Sequence, residues 1–207
     1  MKERNFLDIF FHIWIKFFFL LTPFFSMSVF LSLTKEMDNT EKYKISVRVT
    51  FSVIIVSSIL YFFGNEIFNI FGITLDSFRI GAGSLLFISS VQMVQGSSVP
   101  QLNLKNKDIA VVPLAIPITV GPATTGALLV LGAEVTNSWE KFIGYMALIA
   151  ASTCVGFLLI VSAQVQRIIG YNGLTILEKL TGLILSALAS QIVFTGIKNF
   201  LSTGIIN

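Results

Sequence analysis

The stretch I-A-V-V-P-L-A-I-P-I-T-V-G-P-A-T-T-G-A-L-L-V-L, from Ile109 to Leu131, decides how the rest of this chain is read. It is apolar and long enough to cross a bilayer, yet it holds Pro113, Pro117 and Pro122, the last directly after Gly121. A proline inside a helix removes a backbone donor, clashes with the carbonyl four residues back and pushes the preceding residue out of helical geometry. A broken helix is therefore expected here. In hydrocarbon an unpaired backbone group costs several kcal/mol, so a break persists only where protein buries it or where it lines a wet cavity. Such a cavity is the first place to look for a functional site.

The surroundings of this stretch are equally apolar. Of 207 residues, 54% are hydrophobic and only 12% charged, and the mean hydropathy is +0.83. Soluble domains carry about 25% charged residues, so this composition belongs to a membrane protein. Five further runs reach the roughly 20 mainly apolar residues that a bilayer core requires. They are Ile13 to Leu33, interrupted by Thr22-Pro23; Val49 to Phe68; Phe78 to Gln95; Phe142 to Ala163; and Leu180 to Leu201. The expected fold is all-α: one polytopic integral membrane domain of six transmembrane helices, with the first and fourth broken at prolines.

Lys2 and Arg4 precede the first apolar run in the manner of a secretion signal, but the run is too long and no small-residue cleavage site follows, so it reads as a retained span. Lys35, Lys42, Lys44, Arg48, Lys105, Lys107, Arg167 and Lys179 fall in the connectors after the odd spans. Lys2, Arg4, Arg79, Lys141 and Lys198 lie on the opposite side. The excess places the odd connectors in the cytoplasm and both termini in the periplasm. The formal charge of +3 forms no basic stripe, so the expected partners are a lipid bilayer and a small-molecule solute, with no nucleic acid. A homo-oligomer is left open.

The two halves of the chain resemble each other. Sliding by a hundred positions sets Lys179 on Arg79, Leu180 on Ile80, Leu185 on Leu85, Ser190 on Ser90 and Gly196 on Gly96, and brings Pro122 beside Pro23. Repeat one would cover about 6–96 and repeat two about 109–201. Three spans per repeat would invert one copy relative to the other, an arrangement that recurs in secondary transporters with the solute held at the helix breaks.

Charged residues deep in a span are the usual markers of an ion path. Interface placement accounts for Asp8, Lys16, Arg48, Glu66 and Asp76, and His12 beside Trp14 reads as interfacial. Arg79 is different, because Asp76 one turn away could hold it inward. The remaining candidates for solute binding are neutral: Thr22, Pro23 and Ser26 at the first break, Pro117, Thr119, Gly121, Pro122, Thr124 and Thr125 at the fourth, and Ser190 and Gln191 in the sixth span. Ser28 lies near the first break. Together they would line a polar site without fixed charge, in which freed amides and helix N-termini attract a carboxylate.

An enzyme is not expected, since no nucleophile has a nearby base and no catalytic motif occurs. A single histidine and the single Cys154 argue against a metal site, and no cofactor is expected.

P-L-A-I-P-I-T-V-G-P-A-T-T, Pro113 to Thr125, resembles the signature of the MarC family of bacterial inner-membrane proteins, whose usual form is P-L-A-I-P-L-x-x-G-P-G-x-I. F-G-I-T-L-D-S-F-R-I-G-A-G-S-L-L-F, Phe71 to Phe87, is similar to a second family stretch, and F-L-S-L-T, Phe30 to Thr34, closes the first span as the family does. The family's N-P-I-G is here Thr22, Pro23, Phe24 and Phe25, and Ala123 replaces the second glycine of the fourth-span motif. The resemblance implies a six-span plasma-membrane protein related to the LysE superfamily of exporters, some of whose members move neutral amino acids. The leading expectation is a transporter or exporter of a small neutral or zwitterionic solute such as an amino acid. The competing one is a non-transporting membrane protein with an assembly or interaction role.

Overall fold

The computed structural model describes residues 6–96, 114–115, 119–135 and 137–204. Pro113, Pro117, Lys105 and Lys107 lie outside them. The described chain is all-α: α1 (Phe6–Leu20), α2 (Pro23–Leu33), α3 (Asn39–Phe71), α4 (Leu75–Gln95), α5 (Pro122–Glu134), α6 (Ser138–Ile160) and α7 (Ser162–Gly204). Five spans among the described residues are long and apolar enough to cross a membrane: α1 with α2, α3, α4, α6 and α7.

Several helices outrun their apolar cores, because hydropathy marks the part in lipid whereas capping marks where the helix begins. α3 starts at Asn39, ten residues before its apolar run, where the Asp38 carboxylate accepts the Glu41 N–H at 2.7 Å. The Thr74 hydroxyl accepts the Ser77 N–H at the start of α4. Each is a side-chain cap on an otherwise orphan amide. α3 and α4 end on Gly72 and Gly96, both left-handed. α7 is helical from Ser162 onward except at Gly170 (φ 70°, ψ 175°), so the fifth and sixth apolar runs are joined by helix rather than by a loop.

Contacts between helices fix the direction of each crossing. The Phe6 and Trp139 rings lie 6.4 Å apart, and the buried Tyr61 hydroxyl donates to the Lys141 carbonyl at 3.3 Å. Arg79 meets Glu134, and Asn199 donates to Asp76. The start of α1, the far half of α3, the start of α4, the end of α5, the start of α6 and the end of α7 therefore share one end of the bundle, here the Arg79 end. Ser28 of α2 bonds Glu178 of α7, and Gly182 abuts Ser90 and Met93 of α4, which defines the opposite, Lys35 end. Both ends of the described chain lie at the Arg79 end.

Without a hydrophobic drive between helices in lipid, small residues let backbones close in. α4 and α7 form the most extensive pair. A Cβ placed on Gly83 would lie 2.7 Å from Val193 Cγ2 and 3.1 Å from the Ala189 carbonyl oxygen, with Ile192 also within reach. One on Gly182 would lie 2.9 Å from the Ser90 carbonyl oxygen and from Val94 Cγ2, with Met93 beside them. α5 packs between α3 and α4 through Gly132 against the Tyr61 carbonyl and Gly126 against Ala82. Phe51, Ile55, Ile59 and Phe63, at helical spacing on α3, stay exposed. In a membrane such a stripe faces acyl chains.

Gly132→Ala drives a methyl group into the Tyr61 carbonyl and is expected to cost about 1–3 kcal/mol or more. Gly81→Ala meets nothing within 4 Å and is expected to stabilise α4 by up to about 1 kcal/mol. Thermal unfolding of the two variants in detergent should shift in opposite directions.

Candidate functional site

The first interruption is local and strained. α1 ends at Leu20, Thr22 turns left-handed (φ 47°, ψ 58°), and α2 begins at Pro23. Thr22 is the one non-glycine residue with positive φ among the described residues, a conformation costly for a β-branched side chain. Proline at the first helical position loses nothing, since that N–H would have no intrahelical partner. The Thr22 N–H still reaches the Phe19 carbonyl at 2.9 Å, and its carbonyl accepts from Ser26 N–H at 2.9 Å. Its hydroxyl, however, is buried without a partner among the described residues.

A second helix start lies against it. α5 begins at Pro122 behind an extended Gly121 (φ −80°, ψ 176°). The Val120 N–H donates to Ala115 O at 2.9 Å, and the Thr119 hydroxyl donates to Leu114 O at 2.9 Å. Thr119 Oγ1 also lies 3.0 Å from Ser26 Oγ. The Thr124 hydroxyl donates to the Leu20 carbonyl at 3.2 Å, at the last turn of α1. Thr22, Ser26, Thr119 and Thr124 are all buried. Residues 93 and 104 apart thus satisfy each other's polar groups at a buried junction.

Beside that junction opens a cavity of about 400 Å³, lined by Leu20, Ala127 and Leu131 on its apolar side and by Lys16, Arg79, Glu134, Gln191 and Thr195 on its polar side. Arg79 is buried and bridges two helices. Its Nη1 lies 2.5 Å from Asp76 Oδ1, and its Nε donates to Glu134 Oε1 at 3.0 Å. Asn199 Nδ2 donates to the same Asp76 oxygen at 3.3 Å. Lys16 is half-buried, with no ion-pair partner among the described residues. Two cations and two carboxylates leave this end of the cavity formally neutral.

The structure groups the sequence candidates unevenly. Thr22, Pro23, Ser26, Thr119, Gly121, Pro122 and Thr124 come together at or beside the junction. Thr125 and Pro122 border a separate apolar groove with Phe78 and Ala82. Ser190 donates to Ser186 of its own helix at 2.9 Å, whereas Gln191 lines the cavity. Pro117 lies outside the described residues. The reading of an uncharged site does not hold for this cavity, because the fold brings three helix ends together at Arg79. In sequence Asp76 is within one turn of Arg79, whereas Glu134 is 55 residues away and Lys16 stands at the start of a span like any interfacial lysine. The available clue was that Glu134 is the carboxylate closing the fourth span at the membrane side where Arg79 begins the third.

A bundle of apolar crossing helices with lipid-facing stripes defines a polytopic integral membrane protein. Residues 7–201 match the sequence profile of the MarC family integral membrane proteins, and the chain belongs to that family. It is 33% identical to a UPF0056 membrane protein of Buchnera aphidicola subsp. Baizongia pistaciae, over 91% of this chain and 94% of the relative. A UPF0056 membrane protein of Methanocaldococcus jannaschii is 32% identical over 89% and 93%. The UPF0056 membrane protein YhcE of Escherichia coli is 28% identical over 96% of each chain. No solved structure matches.

Glu134→Ala leaves the buried Arg79 guanidinium with one carboxylate fewer. Because both side chains keep some solvent contact, the expected loss is about 1–3 kcal/mol, less than for a fully buried pair. A double-mutant cycle with Arg79→Met should show a favourable coupling of about 1 kcal/mol or more, measured by thermal unfolding.

Proposed function

We propose that this protein is a secondary carrier of a small neutral or zwitterionic solute, an amino acid being the best fit. It would work by alternating access between two inverted three-helix repeats. The observation that carries this reading is the meeting of the α1–α2 interruption with the start of α5, Ser26 against Thr119 and Thr124 on Leu20, beside a charged but neutral-sum cavity that Leu20 helps to line. Backbone breaks facing a cavity are where carriers hold their solutes. A zwitterion can enter a site with balanced charges without leaving a net charge buried, whereas an ion cannot.

The packing supports the repeat. Gly182 lies 99 positions after Gly83, and the three α4 residues it abuts lie 99 positions before the three α7 residues that Gly83 abuts. Pro122 follows Pro23 by the same interval. This register is one residue shorter than the offset that aligned the apolar spans, because contacts between backbones are less forgiving than hydropathy. In this reading Lys16 takes the solute carboxylate and Glu134 its ammonium, while Gln191 and Thr195 face the side chain. The Thr22–Ser26–Thr119 junction closes the route, and the unpartnered Thr22 hydroxyl becomes available when it opens.

Purified protein in proteoliposomes should show saturable uptake or binding of at least one member of a panel of amino acids. Lys16→Gln should lower the initial rate by about tenfold or more, the loss of one charged hydrogen bond, without lowering the unfolding temperature. Absence of saturable flux or binding across the panel, in verified folded protein, would sink the carrier reading. It would favour a non-transporting role if variants at Gly121 and Pro122 then disturbed protein partners instead.

A further inference from the structure

A second pocket, of about 270 Å³, lies at the Lys35 end and is lined by Ser28, Ser32, Lys35, Gln166, Tyr171 and Leu174. Glu178 stands behind that lining and accepts from the Ser28 hydroxyl. Along α7, Glu178 is 18 residues from Gly196, which abuts Arg79, or about 27 Å at the helical rise per residue. The two openings are therefore at opposite ends of the bundle, with the Ser26–Thr119 junction between them.

One wall of each corresponds to a wall of the other at the 99-residue register. Ser28, Ser32 and Lys35 lie 99 positions before Ala127, Leu131 and Glu134 of the first cavity, and Glu178 lies 99 positions after Arg79. The cation and carboxylate have exchanged places. Arg79 of α4 and Glu134 of α5 are matched by Glu178 of α7 and by Lys35 just beyond α2. The state of the pairs also differs. Arg79 and Glu134 are bonded at 3.0 Å, whereas Glu178 takes a hydroxyl and Lys35 has no ion-pair partner among the described residues.

We propose that the Ser28–Ser32–Lys35–Glu178 pocket is a second solute station of the same chemical class as the first, reached from the opposite face of the membrane. A free ammonium group and a carboxylate held by a single hydroxyl suit the carboxylate and ammonium of a small zwitterion. Two serines stand here where the other cavity has alanine and leucine. The inference rests on the carrier reading and adds to it a location and a sidedness.

The test uses the full chain with Cys154→Ser, which removes the single cysteine, and either Ser32→Cys or Leu131→Cys, with Thr195→Cys replacing the latter if it misfolds. A membrane-impermeant maleimide is applied to right-side-out and inside-out vesicles, with and without a mixture of the twenty common amino acids. The proposal expects the two cysteines to be labelled from opposite faces. It expects labelling of each to slow about fivefold once the mixture reaches about four times its Kd, as mass action requires. Glu178→Gln should abolish protection at Ser32→Cys and leave it at the first cavity. Labelling from one face only, protection confined to the first cavity, or protection at Ser32→Cys unaffected by Glu178→Gln overturns the second station while the carrier reading stands. Protection at neither cysteine overturns both.

Discussion

In a hydrocarbon environment the chain cannot leave a peptide group without a partner, and much of this structure follows from how that constraint is met at Leu20 to Pro23. There α1 stops, the backbone turns left-handed and α2 restarts, which frees carbonyls at the end of one helix. The Thr124 hydroxyl, from the first turn of α5, takes the Leu20 carbonyl, and Thr119 stands against Ser26. An interruption in one half of the chain is thus made tolerable by residues about a hundred positions away. The halves must dock there because neither could bury its own irregular backbone alone.

Docking at that depth demands close approach of the surrounding helices, which glycines permit. Gly132 lies against Tyr61, Gly126 against Ala82, and Gly83 and Gly182 each open a groove for the other helix of the α4–α7 pair. Toward the Arg79 end the helices enclose a cavity. Charged groups collect there. Arg79 is nearly withdrawn from solvent, and its two carboxylates stand in for the water it has lost. The ion pairs and the cavity they line share one origin, the convergence of α4, α5 and α7 at that end.

Much of this was legible in sequence. An apolar composition with few charges leaves a helical membrane bundle as the natural solution, and the prolines at 23 and 122 mark where helices begin, because a proline suits a first turn and disrupts an interior one. Less legible were the extents of the helices. α3 starts ten residues ahead of its apolar run, since Asp38 caps it in water, and Gly170 bends a helix that hydropathy treats as a connector and a span. The contribution of Glu134 was hidden because a carboxylate at the end of a span looks the same whether it faces headgroups or a guanidinium on a neighbouring helix.

The amino-acid sequence by itself determined the membership of the MarC family, the helical membrane class and the helix starts at Pro23 and Pro122. These depend on side-chain hydrophobicity and on proline's missing N–H, both properties of residues and their immediate neighbours. Only the tertiary structure decided that Thr124 serves Leu20, that Arg79 is held by Glu134 as well as Asp76, and that Lys16 lines a cavity with both. Those partners come from different helices, and their meeting depends on the distances at which glycine and alanine allow the backbones to pack.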